Sequence, residues 1–309
     1  MASPDFSEFT FGYAVTRHIE DTLGGRIAVP SFPTTVQEAD LGYDVDFLSH
    51  GVPLIIQYKR SSVMTRSSCK EFASPHFAHI FHARRPFYRM HLHKNHQYRQ
   101  HLMLRIFEYF LGGGVWYCTS SVQDKVELDV HYRRGQMFNA STFFPPSSIA
   151  LPDLHDDHFV SFHPGLPVAY LFSEQGLPFQ SGDVSPTKLD NRGDTPANEL
   201  LERASILFEN LDSVGPAELA RRERESIYKN FSETSARARE IVQQWTDGVA
   251  SDVIFPSASE DLLDPPDTSV QFPRFPPRKT GESLIKRLAY EVSLHADAML
   301  VSVPRERLK

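Results

Sequence analysis

The chain has 309 residues, 40% hydrophobic and 23% charged, a balance that excludes global disorder, a collagen-like fibre and a polytopic membrane protein. Its 32 basic and 39 acidic residues give a net charge of −7, which argues against a protein that coats nucleic acid non-specifically. The two cysteines, Cys69 and Cys118, are too few for a disulfide framework, no leader pattern opens the chain, and no apolar run approaches the roughly 20 residues of a spanning helix. The expectation is a cytoplasmic protein without a membrane partner.

In chain order, helical spacing of Phe11, Ala14, Val15, Ile19 and Leu23 predicts a helix over 9–23, stopped by Gly24-Gly25. A short strand at Arg26 to Val29 follows, then two strand-like runs, GYDVDFLS and VPLIIQYK, separated by a His-Gly turn signal. After a loop and helix come a strand in FYRMHLH, a helix in HQYRQHLMLRIFEYFL stopped by Gly112-Gly113-Gly114, and a buried strand in VWYCTS. SVQDKVELDVHYRR reads as a helix, and FNASTFFPP and HFVSFHP as two further strands. The alternation predicts an α/β or α+β domain over 1–180. Residues 181–198 read as a breaker-rich linker, and 199–309 as a mainly helical region interrupted by a proline-rich connector at 255–278, with a last helix that finishes in a strand.

Between Lys59 and Arg105 the chain carries ten basic side chains and one carboxylate, Glu71, so one surface is expected to be locally positive. Arg60, Arg66, Lys70, Arg84 and Arg85 are the candidate phosphate contacts of that segment. Seven of the fourteen histidines also fall there. Their spacings, and HDDH at 155–158, match no recognised zinc signature, and phosphate contacts or polar surface are the preferred reading.

The chemistry-bearing segment is GYDVDFLSHGVPLIIQYKRS. Alternation puts Asp44, Asp46 and Leu48 on one face of the first strand, and Pro53, Ile55, Gln57 and Lys59 on one face of the second. A tight turn at His50-Gly51, or a four-residue loop from Ser49 to Val52, sets Asp44 opposite Gln57, whereas a three-residue loop slips the register and separates them. In the matched register a carboxylate, an amide oxygen and an ammonium converge. A hard divalent cation takes oxygen ligands, which Asp44, Gln57 and the Tyr58 carbonyl can supply. Lys59 can hold or deprotonate an attacking water and stabilise developing charge.

The order helix, strand, Asp-bearing strand, turn and Gln-x-Lys strand resembles the PD-(D/E)XK nuclease superfamily, in its restriction-endonuclease-like branch with Mrr-like proteins, where Gln replaces the acidic residue before x-Lys. Asp44, Gln57, Tyr58 and Lys59 match the pattern over about residues 9–60. The resemblance implies a restriction-endonuclease-like mixed sheet flanked by helices. It further implies a Mg2+- or Mn2+-dependent endonuclease that hydrolyses DNA, with a place in antiviral defence against foreign DNA. Glu20 on the opening helix and Glu38 before Asp44 are the two candidates to complete the catalytic set. The rival readings are a catalytically inactive nuclease-fold module that binds nucleic acid or a partner protein, and a histidine-built zinc protein. The C-terminal helices offer no ligand set and are expected to set homo-oligomer assembly or the choice of protein partner.

Overall fold

The computed structural model describes residues 3–22, 51–82, 84–92, 96–112, 114–149, 157–172, 176–180, 197–229, 240 and 299–304. They form a mixed α/β architecture with two sheets and helices between and outside them.

Helix α1 (Glu8–Thr22) begins where Ser7 caps it, its hydroxyl accepting the Thr10 N–H at 3.0 Å. The cap starts the helix one residue before the expected Phe9. Strand β1 (Gly51–Lys59) follows, then β2 (Ser61–Met64), so the chain changes sheet at Arg60. Helix α2 (Pro75–Phe81), β3 (Phe87–Leu92), α3 (His96–Leu111) and β4 (Val115–Ser120) come next. The α3–β4 turn needs glycine at Gly112 and Gly114, whose φ values are +67° and +83°. Helix α4 (Lys125–Arg133) starts four residues later than the SVQDKVELDVHYRR segment, because Asp124 accepts the Glu127 N–H at 2.7 Å and fixes the N-cap there. Strands β5 (Ser141–Phe144), β6 (His158–Phe162), β7 (Val168–Phe172) and β8 (Gly176–Gln180) precede helices α5 (Ala197–Ser213) and α6 (Pro216–Lys229) and strand β9 (Met299–Pro304).

The first sheet has the order β5-β4-β1-β9, with β1 and β4 parallel and the outer pairs antiparallel. The second is antiparallel, β2-β3-β6-β7-β8. Alternation along β1 divides its side chains between two cores. Leu54, Ile56 and Tyr58 face α1 and α4, together with Cys118 and Phe143. Ile55 faces α3 in the central core, with Val115, Tyr117 and Phe144 of the same sheet and Met90, Val160, Phe162 and Leu171 of the other. The far face of the second sheet packs on α2 through Phe77, Phe81, Phe87 and Tyr170.

The central core also takes Leu207, Phe208 and Leu211 of α5 and Leu219, Ala220 and Ile227 of α6. Arg105 of α3 pairs with Glu223 of α6 at 2.7 Å, and β9 pairs with β1. Helices α5 and α6 therefore share the core of the sheet that carries Gln57 and Lys59. Their apolar faces are engaged inside the chain. Residues 181–196, the connector 255–278, Gly24-Gly25 and the strand expected at 26–29 lie outside the described residues.

Candidate functional site

Gln57 and Lys59 end β1 on the face opposite Tyr58, and both are buried, 2% and 6% exposed. In the parallel ladder Gln57 lies beside Tyr117 and Lys59 beside Thr119, and Thr119 in turn faces Thr142 of β5. A polar row thus crosses the C-terminal ends of two parallel strands, the end at which open α/β sheets receive ligands. The Lys59 ammonium donates to Gln100 Oε1 of α3 at 3.1 Å. Gln57 Oε1, Thr119 Oγ1 and Thr142 Oγ1 are buried and have no hydrogen-bond partner among the described residues. Leaving a buried polar atom unpaired costs roughly 1–3 kcal/mol, so three along one face mark a place suited to a guest.

Tyr58 points to the other side. Its ring meets Phe11 edge-on with centroids 6.0 Å apart, and its hydroxyl lies 2.8 Å from that of Thr16. Burial pushes its phenol pKa well up, so it stays neutral. Its carbonyl is the group expected from the sequence to serve as a ligand.

The opening helix supplies a different carboxylate from the one anticipated. Glu8 Oε2 accepts the Arg60 N–H at 3.0 Å, immediately after Lys59. From there α1 runs back along β1, passing the Tyr58 ring at Gly12. Glu20 is 12 residues further on, about 18 Å along the helix. It sits beside Arg17 at 3.7 Å, on the face of the sheet away from Gln57 and Lys59. The carboxylate of α1 that reaches the strand end is that of Glu8. No sequence signal marked Glu8, whose position follows from the direction in which α1 crosses β1.

Asp44, Asp46 and Glu38 lie outside the described residues. The tight hairpin that would face Asp44 with Gln57 needs one continuous edge of β1 from Val52 to Gln57. β9 takes one edge from Gly51 to Ile56, and β4 takes the other from Ile55 to Lys59. The strand β9 that pairs with β1 lies about 240 residues later in the chain.

The basic segment separates into two groups. Arg60, Arg66, Lys70, Arg84 and Arg85 are exposed. Arg84 donates to the Ile80 carbonyl at 2.8 Å and Arg85 to the His82 carbonyl at 3.2 Å, so both also serve the C-terminal end of α2. Lys70 stands over the Phe159 ring, 4.2 Å from its centroid. Arg89 and Arg105, by contrast, point inward to Glu71 and Glu223. Among the histidines, His101 is fully buried between Tyr117 and the Ile149 carbonyl. Among the described residues no group of three or more His, Cys, Asp or Glu could hold a metal ion. No described helix is long and apolar enough to cross a membrane. No known protein family, curated protein or solved structure matches the chain.

Proposed function

We propose that the chain is a divalent-metal-dependent endonuclease that hydrolyses DNA phosphodiester bonds, on the restriction-endonuclease-like plan its Gln-x-Lys strand resembles. The supporting observation is the pair itself. An unpartnered amide oxygen, Gln57 Oε1, and an ammonium, Lys59 Nζ, share one buried face at the end of β1 beside the parallel strand β4.

The described residues fit a hard cation in part. Gln57 Oε1 and the Tyr58 carbonyl are oxygen donors of the right kind, and Glu8 adds a carboxylate at the same strand end. The further carboxylates would come from Asp44 or Glu38, which precede β1 in the chain. A Mg2+ or Mn2+ ion held there supplies Lewis acidity toward a phosphodiester and acidifies a bound water. Lys59 orients the attacking water and offers its N–H to the charge that develops on phosphate. Arg60, next along the chain and exposed, offers the first phosphate contact outside the site.

The test is nicking of supercoiled plasmid with Mg2+ or Mn2+ by wild type, Lys59→Ala and Asp44→Ala. Metal-dependent nicking that disappears in both variants is expected. Absence of nicking by wild type, or equal nicking by Lys59→Ala, overturns the proposal. The second reading, a silent module that binds nucleic acid, draws on the burial of Gln57 and Lys59 beneath α3. It predicts DNA binding that is indifferent to metal.

A further inference from the structure

We infer that Gln100 is a positioning residue for Lys59: its side-chain oxygen selects the placement of the ammonium, and the hydrogen bonds of its neighbour His101 fix the helix that carries it. The inference rests on the reading of Lys59 as the group that handles water and phosphate.

Gln100 is 2% exposed, and its Oε1 lies 3.1 Å from Lys59 Nζ across 41 residues of sequence. A lysine stem is flexible, and a fixed buried acceptor restricts it to one orientation. The acceptor is itself anchored. His101 Nε2 faces the Ile149 carbonyl at 3.0 Å, and a carbonyl only accepts, so Nε2 carries the proton. Nδ1 of the neutral ring then accepts from the Tyr117 hydroxyl at 3.1 Å. Burial, with Arg105 second, holds the His101 pKa well below its ordinary value and preserves the neutral ring.

Helix α3 is thus tied to β1 through Gln100 and to β4 through His101. Tyr117, the strand partner of His101, is the register neighbour of Gln57. The two bonds therefore span the strand pair that presents the candidate site. The residue type also matters. A leucine at 100 would remove one acceptor from a buried ammonium. A glutamate would keep an acceptor but add a negative charge beside it. An amide positions the ammonium without adding charge.

The full chain is tested with Gln100→Leu, Gln100→Glu and Gln100→Asn by two readouts at one fixed pH. One is metal-dependent plasmid nicking, with kcat and KM separated. The other is the extent of Lys59 acylation by acetic anhydride, quantified by peptide mass spectrometry, which needs no activity. Gln100→Leu is expected to lower kcat about tenfold or more while KM for DNA stays within about twofold, and to raise the acylation of Lys59. Gln100→Asn, one methylene shorter, should fall between Leu and wild type, and Gln100→Glu, which keeps an acceptor there, should stay nearest to wild type. A lower melting temperature with kcat and acylation unmoved would make Gln100 merely structural and overturn the inference. If Gln100→Leu does not fold, Gln100→Asn carries the same test. Acylation that changes in the Gln100 variants while wild type does not nick would fell the nuclease reading and leave the positioning intact. Nicking that needs Lys59 but ignores Gln100 would do the reverse.

Discussion

Arg89 on β3 and Lys59 at the end of β1 are both buried cations, 9% and 6% exposed, one in each sheet. Arg89 is held by Glu71, whose side chain is fully buried: Nε and Nη2 donate to Oε1 at 2.8 and 2.5 Å, and Ser161 adds a third bond at 3.1 Å. Its guanidinium also lies over the Phe159 ring, 4.4 Å from the centroid. Opposite charge, planar geometry and an aromatic face make a structural joint between the segment before α2 and the second sheet. Lys59 donates to an amide oxygen, in a row where Gln57, Thr119 and Thr142 each hold a buried oxygen with no partner among the described residues. Both sites keep buried oxygens without a partner among the described residues, Glu71 Oε2 in one and three oxygens in the other, and only the second lies at the ends of two parallel strands. On the proposed reading, Arg89 is the cation that holds the fold and Lys59 the one that serves chemistry.

The largest effect is expected at the structural cation. Glu71→Ala leaves Arg89 buried without its carboxylate, a change worth about 3–5 kcal/mol in comparable pairs. Denaturant unfolding should show that loss, and a smaller one for Arg89→Met with Glu71→Gln, which removes both charges together. A double variant as unstable as Glu71→Ala would place the cost in packing rather than in charge. Lys59→Ala should behave in the opposite sense. Nicking should fall by about 100-fold or more, equivalent to roughly 2.7 kcal/mol of transition-state stabilisation, with a melting temperature near that of wild type. If Lys59→Ala unfolds the chain as readily as Glu71→Ala, the contrast between the two cations fails.

A third prediction concerns the helix that brings Glu8 to the strand end. A Cβ at Gly12 would come within 2.8 Å of the Tyr58 ring, so the absence of a side chain sets how closely α1 approaches β1. Gly12→Ala should cost about 1–3 kcal/mol by overpacking. It should also reduce nicking if the distance from Glu8 to the end of β1 matters. Pairing it with Tyr58→Leu, which clears the contact at the expense of the Thr16 hydrogen bond, should recover part of the stability.

These residues also show how far a sequence can be read. Helix α1 was legible because Phe11, Val15 and Ile19 recur at helical spacing, and α3 because glycines with positive φ end it. The face shared by Gln57 and Lys59 was legible because a strand alternates. What lay across from that face was not. β9 reaches β1 over about 240 residues, and no local pattern encodes such a pairing. Gln100 gave no signal, since a glutamine in a helix does not announce a lysine 41 residues earlier. Arg89 was counted toward a basic surface although Glu71, the lone carboxylate of that segment, neutralises it inside. The second sheet begins at Ser61, where the polar run from Lys59 to Ser62 hides the change of sheet between β1 and β2.

The smallest effect is expected from pH, and it bears on the anchoring of α3. His101 is neutral in the fold because burial and Arg105 hold its pKa well below the ordinary value. In the unfolded chain it titrates normally, near 6.5. Below that pH the unfolded state binds a proton that the folded state refuses, so the histidine destabilises the fold increasingly as pH falls, until the folded pKa is reached. Above about pH 7 both states are neutral and the contribution vanishes. The slope of unfolding free energy against pH should therefore steepen below about 6.5, by at most about 1.4 kcal/mol per unit for this residue. His101→Gln, which keeps a donor and an acceptor but cannot titrate, should flatten that slope, as read from urea midpoints between pH 5 and pH 7. The same acidification should lower nicking more steeply in wild type than in His101→Gln, because loosening α3 moves Gln100 away from Lys59. Equal slopes in the two proteins would mean that α3 is fixed by its apolar contacts alone, and the His101–Tyr117 bond would then be incidental to the placement of Lys59.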